Sequence, residues 1–177
     1  ELGMADIARR VGLVPSAIYR HFEGREAVLD AIAEMVGRRL EANLDAIRRQ
    51  PGTALTRLHA LLMRHVQFVR ENRALPRIVF SDEMVSRNAA RRGRVYQVIQ
   101  AYLAGVAELA RQGQVAGEIR TDVSAETVAM LFLGIVQPGA VLWHLSDGRF
   151  DITRHAKGAW KHFRQSLVVD KRKGELA

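Results

Sequence analysis

The sequence predicts an all-α protein: a small helical head at the N-terminus followed by a larger helical body. Three observations carry this. Apolar residues recur every three to four positions over long stretches after Arg25. No alternating run of apolar and polar residues faces a second across a tight turn, so no hairpin is expected. Near the N-terminus, two short helical patterns meet at a turn marked by Gly12.

A chain of 177 residues accommodates a head and a body, and 48% apolar residues supply a sizeable core and exclude disorder. Cysteine is absent, which excludes a disulfide framework and every thiolate metal site and fits a reducing cytoplasm. No charged-then-apolar leader opens the sequence. The net charge of +8 suggests nucleic acid, but its distribution qualifies that. Residues 1–50 hold eight Lys/Arg and eight Asp/Glu, so the head is neutral in total. Within it, Arg9, Arg10, Arg20 and Arg25 stand against a single acid, Glu23, a local patch suited to phosphates.

In the head, Ile7, Ala8 and Val11 form one apolar stripe before Gly12 breaks the helix. Pro15 suits the first position of a second helix, on which Ile18 and Phe22 are the inward pair. Ser16, Ala17, Tyr19, Arg20 and His21 are left facing out: small, hydrogen-bonding or basic, fit to approach phosphates and base edges. An ordinary helical hairpin with a polar outer face has the same spacing. Val14 offers no side-chain cap, which is worth about 1 kcal/mol, and Ala17 presents only a methyl group.

The body follows as helices. From about Arg25 to Arg49, Val28, Ile32, Leu40, Leu44 and Ile47 keep helical spacing until Pro51-Gly52 stops the run. Thr53 caps a helix carrying Leu55, Leu58, Leu62, Val66 and Val69, ending near Asn72. Pro76 marks a short helical start with Ile78, Val79 and Phe80 inward. Arg87 to Gln112 reads as a long helix, with Val95, Ile99, Tyr102, Val106 and Leu109 on one side. Its arginines 87, 91, 92 and 94 read as a solvated face, the alternative being contact with an anionic partner. Ser124 caps a helix reaching Leu145, uncharged from Val128 onward. That stretch is long enough to span a membrane, but Gln137, Pro138 and His144 favour a helix buried on several sides, and no membrane partner is expected. A last helix from Thr153 to Val169 places Ala156, Trp160, Phe163 and Leu167 on one stripe.

Enzymatic motifs are missing. The sequence holds no glycine-rich phosphate loop, nucleophile elbow or kinase signature. His144, His155 and His162 lack metal-ligand spacing, and the adjacent Asp82 and Glu83 point different ways. Neither an enzyme, a metal site nor a cofactor is expected.

The run DIARRVGLVPSAIYRHFEGREAVL resembles the DNA-binding segment of the TetR family of bacterial transcription regulators. The resemblance lies in Ile7-Ala8, Gly12, Tyr19-Arg20-His21-Phe22 and Arg25-Glu26-Ala27, in that order and without gaps. It implies a homodimeric regulator, most commonly a repressor, that reads double-stranded DNA and answers a small-molecule effector in the cytoplasm. A nucleoid-occlusion factor working through a protein partner, or a helical ligand-binding protein without DNA activity, are the rivals. By this resemblance residues 1–48 form the DNA-binding domain with its connecting helix, and residues 49–177 the ligand-binding and dimerisation domain. Tyr19 and His21 would hold phosphates, with Arg25 reaching the backbone. A further head helix would precede Met4, without which Met4, Ile7, Val11 and Ile18 expose apolar surface, so a native start upstream of Glu1 is expected.

Two further sets follow from it. Met63, Phe68, Phe80 and Tyr102, with Met130, Phe132 and Trp143, are large side chains that either line an effector pocket or fill the core. The last two helices would pair with those of a second subunit. Leu131, Gly134, Ile135 and Val141 of the first, and Trp160, Phe163 and Leu167 of the second, are the expected interface, with Gly134 and Gly139 permitting close approach.

Overall fold

The computed structural model describes residues 22–72, 75–79, 81–85 and 88–169. They form seven helical segments: α1 (Arg25–Arg48), α2 (Ala54–Glu71), α3 (Leu75–Val79), α4 (Asp82–Val85), α5 (Ala89–Val115), α6 (Ala125–Leu145) and α7 (Ile152–Leu167). The only sheet-like pairing among the described residues is an isolated bridge between Ile119 and Val168.

Side-chain caps set most of the helix starts. The Thr53 hydroxyl accepts from the Thr56 amide at 3.1 Å, and the Ser124 hydroxyl from the Thr127 amide at 3.1 Å. Asn88 and Asp151, neither foreseen as caps, do the same for α5 and α7, accepting from Arg91 and Arg154 amides. No side chain caps α1, which follows Gly24 at φ 144° and carries Glu26 in its first turn, where a negative charge meets the positive end of the helix dipole. The last helix ends two residues short of the expected Val169. Val168 turns extended to meet Ile119, and the Arg120 amide donates to the Leu167 carbonyl at 2.9 Å. That carbonyl is thereby satisfied outside the helix.

The hub is α2, which packs against α1, α5, α6 and α7. Leu58, Leu61, Leu62 and Val66 of α2 are fully enclosed, together with Val106 and Leu109 of α5, Val128 and Phe132 of α6, and Ala156 of α7. Each large side chain contributes about 1.5–3 kcal/mol by leaving water. The approach of α5 to α1 is close at Gly105: a Cβ there would lie 2.6 Å from Leu44 Cδ1, and that side chain would have to shift.

The helix α6 is long and apolar enough to cross a membrane by length and composition. Within the chain its inner side packs against α2, α3, α5 and α7. Its other side leaves Leu131 52% and Leu145 72% exposed, with Met130, Val141 and Leu142 beside them. Gly134 sits on this outer side with open space beyond it. Gly139 turns the opposite way, and a Cβ there would meet His155 of α7 at 3.0 Å, so its smallness serves packing within the chain and not between subunits. Pro138 interrupts the helix's own bonding, and the His155 ring lies across the same turn, Nε2 within 3.1 Å of the Ile135 carbonyl oxygen.

Candidate functional site

Between the helices lies an apolar cavity of about 130 Å³. Its walls come from Ala33, Val36 and Leu40 of α1, Phe68 and Val69 of α2, and the short α3 and α4 with Leu75, Pro76 and Met84. Val95, Val98 and Ile99 of α5 and Leu133, Val136 and Ala140 of α6 complete them. Among the described residues no Asp, Glu, Lys or Arg lines it; His65, Tyr102 and Gln137 supply the polar side chains. The i, i+3, i+4 spacing of Val95, Val98, Ile99 and Tyr102 puts all four on one face of α5, which is why one helix can form so much of the wall.

His65 and Tyr102 face each other across this wall. His65 Nδ1 and the Tyr102 hydroxyl are 3.1 Å apart, with the rings edge to face. Burial pushes the His65 pKa from 6.5 down to about 4 and raises that of Tyr102 above its ordinary value. Both side chains are therefore neutral at pH 7, and the hydrogen bond joins two uncharged groups.

The residues expected at a pocket fall into different surroundings. Phe68 and Tyr102 line the cavity. Phe132 is fully enclosed and tilts against Phe163, a core residue with no cavity surface. Met63 and Trp143 line a separate shallow, polar depression beside Arg64 and Asp151. Met130 projects outward, 58% exposed, because its position on α6 lies opposite the buried stripe. Phe80 lies outside the described residues. His65 and Gln137 were not expected at a pocket. The i, i+3, i+4 neighbourhood of His65 with Leu62, Phe68 and Val69 was the available signal.

The expected interface residues also divide. Leu131, Gly134 and Val141 occupy the outer face of α6. Ile135, Trp160, Phe163 and Leu167 are turned inward and buried by their own chain. The apolar stripe of α7, with Ala156, Trp160, Phe163 and Leu167, packs into the core of its own chain.

Of the expected DNA-contacting residues, Pro15, Ser16, Ala17, Tyr19, Arg20 and His21 lie outside the described residues, and Arg25 opens α1. Just beyond Arg25, the head end of α1 is tied to α5 by an ion-pair cluster. The Arg91 side chain is fully buried; its Nε donates to Asp30 Oδ1 at 2.7 Å, and its Nη2 to Glu26 Oε2 at 2.7 Å and the Glu26 carbonyl at 3.1 Å. Arg94 Nη2 joins on Asp30 Oδ1 at 2.5 Å, and Asn88 donates to Glu26. The Arg91 hydrogen bond holds Glu26 below its ordinary pKa. Burial works to raise Asp30, and the hydrogen bonds from Arg91 and Arg94 overcome it and bring it down. The expectation of a solvated arginine face is thus corrected at Arg91 and Arg94: charge pairing across α1 and α5 holds them, and Arg92 faces water. Arg87 lies outside the described residues.

A helical body enclosing an apolar cavity, joined by a long helix to a segment that reads as a helix-turn-helix, has the build of a DNA-binding transcription regulator. Residues 1–32 match the tetR family of bacterial regulatory proteins, and residues 51–167 match the tetracyclin repressor-like C-terminal domain. The chain belongs to the TetR family. Among its relatives, the nucleoid occlusion factor SlmA of Idiomarina loihiensis is 22% identical over 164 residues, spanning 93% of this chain and 84% of that protein. The fold is shared with the ketosteroid transcriptional regulator KstR2 of Mycobacterium tuberculosis, at a TM-score of 0.75 and 17% identity over 95% of this chain and 85% of that one. It is shared too with FadR of Bacillus subtilis, solved in complex with stearoyl-CoA, at 0.71 and 20% over 92% and 87%.

Proposed function

We propose that this regulator is a ligand-responsive repressor that binds a pseudo-palindromic operator as a homodimer in the cytoplasm. The observation that carries the reading is the cavity, because α1 and α5 both wall it and the same two helices hold the ion-pair cluster beside the head. A ligand that widens the cavity pushes on these helices and so on the segment before Arg25. Binding-site selection with native-length protein tests the whole reading: a two-fold symmetric consensus is expected, and recovery of no DNA at low salt defeats it. Genome-wide occupancy at one or a few promoters is the further expectation. Dozens of dispersed sites would favour a nucleoid-occlusion role like that of the Idiomarina relative.

Within the head, Tyr19, His21 and Arg25 are assigned to phosphates, and Ser16, Ala17 and Arg20, on the helix begun by Pro15, to the groove floor. Arg20→Ala is expected to weaken operator binding by ~1–3 kcal/mol and relax sequence preference. An anisotropy titration that finds affinity and preference unchanged would remove Arg20 from that role.

The outer face of α6 is assigned to the second subunit. Leu131, Val141 and Leu142 with Gly134 give an apolar strip whose exposure a lone protomer would tend to avoid. The double variant Leu131→Glu, Leu142→Glu is expected to sediment as a monomer of about 19.8 kDa and to lose operator binding. A variant that stays dimeric would move the interface elsewhere.

A further inference from the structure

We propose that the cavity takes a small, uncharged, largely apolar molecule bearing one hydrogen-bonding group, which seats on the His65–Tyr102 pair. This rests on the reading of the protein as ligand-responsive and narrows it to a ligand class.

Size is the first constraint. A cavity of about 130 Å³ is close to the roughly 150 Å³ that suffices to hold benzene in an apolar protein interior. The part of a ligand that this space holds is a single ring or a short branched chain. Charge is the second constraint. Among the described residues the lining contains no Lys or Arg to meet an anion and no Asp or Glu to meet a cation. An ion entering it would lose hydration without a charged partner among the described lining residues. His65 does not substitute for a cation, since burial keeps its ring neutral.

The third constraint is the pair itself. A neutral imidazole has one donor and one acceptor nitrogen, and a phenol both donates and accepts. Their mutual contact at 3.1 Å uses His65 Nδ1 and one of the two roles of the Tyr102 hydroxyl, and among the described residues it is the only hydrogen bond made by either side chain. His65 Nε2 and the other role of the Tyr102 hydroxyl remain for a guest. A hydroxyl or carbonyl group on the ligand completes the set, and the surrounding Val98, Ile99, Leu133 and Val136 cover its apolar part. Gln137, exposed on α6 at the cavity's edge, marks the side nearest to water.

The experiment titrates the full chain at pH 7.5 by calorimetry with three probes of one shape: 4-ethylphenol, 4-ethylbenzoate and ethylbenzene. The phenol is expected to bind at least about tenfold more tightly than the carboxylate. Tyr102→Phe is expected to weaken the phenol by about tenfold and to leave ethylbenzene unchanged, which also shows that the variant is folded. Equal or tighter binding of the carboxylate overturns the inference, as does a Tyr102→Phe variant that keeps full phenol affinity, or failure of all three probes to bind. Operator release, followed in the same samples, separates this from the wider reading. Phenol that binds without releasing DNA leaves the ligand class standing and removes the ligand response. Carboxylate that binds and releases DNA does the reverse.

Discussion

Asp30→Ala is expected to destabilise the protein by about 1.5–3 kcal/mol in urea unfolding, and Arg91→Met by distinctly less. The two substitutions break the same ion pair from opposite ends, but the ends are not equivalent. The Arg91 side chain has no contact with water, whereas Asp30 is a third exposed and Glu26 about two-thirds. Losing Asp30 takes one carboxylate from a buried guanidinium that keeps Glu26, and it breaks the Arg94 ion pair as well. Losing Arg91 leaves two carboxylates that water can reach, so most of the cost is packing. The double variant should cost less than the sum, since without Arg91 the charge that Asp30 offsets is gone. A larger loss for Arg91→Met than for Asp30→Ala would contradict this account. Acid should loosen the same contact. Both carboxylates are held below their ordinary range, so their stabilisation is present above that range and fades as pH falls through the lowered values.

Acidification from pH 7 to 4 is expected to remove about 3 kcal/mol through His65 alone. Its pKa is 6.5 when free and about 4 in the folded protein. Between those values the unfolded chain binds a proton that the folded chain refuses, so stability falls as pH falls. The loss begins near 6.5 and levels off near 4. Glu26 and Asp30 act in the same direction at lower pH, so the wild-type curve alone does not isolate the histidine. His65→Leu does: the difference between variant and wild type, measured by chemical unfolding at each half unit of pH, should shrink steadily in the variant's favour from pH 6.5 down to 4. A constant difference would mean that His65 titrates normally.

The fold was legible wherever a local rule decides it. Thr53 and Ser124 announce their helices because a cap and its partner are three residues apart, and the stripe from Ala156 to Leu167 correctly marks the inward face of α7. Periodicity says which face is apolar but not what that face meets. Trp160 and Phe163 were therefore expected between subunits and lie within one. The same gap explains the arginines. Glu26 and Arg91 are 65 positions apart, and no local pattern pairs them. The cavity was half legible, since Phe68 and Tyr102 are large and well placed, whereas the choice of His65 over Trp143 depends on how α2 and α6 rotate against their neighbours.

The close packing of Gly105 on Leu44 gives α1 a fulcrum. The helix has 24 residues, and the 19 from Leu44 back to Arg25 make a lever arm of roughly 28 Å. A tilt of about 5° around that point sweeps the Arg25 end through about 2.5 Å, close to the full length of a hydrogen bond. Atoms near Leu44 barely move in the same rotation. The cavity wall at Ala33, Val36 and Leu40 lies along the arm, so a sub-ångström push there arrives enlarged at the chain that α1 carries. The ion pairs at Glu26 and Asp30 grip the arm near its tip, where a given force holds it with the greatest torque.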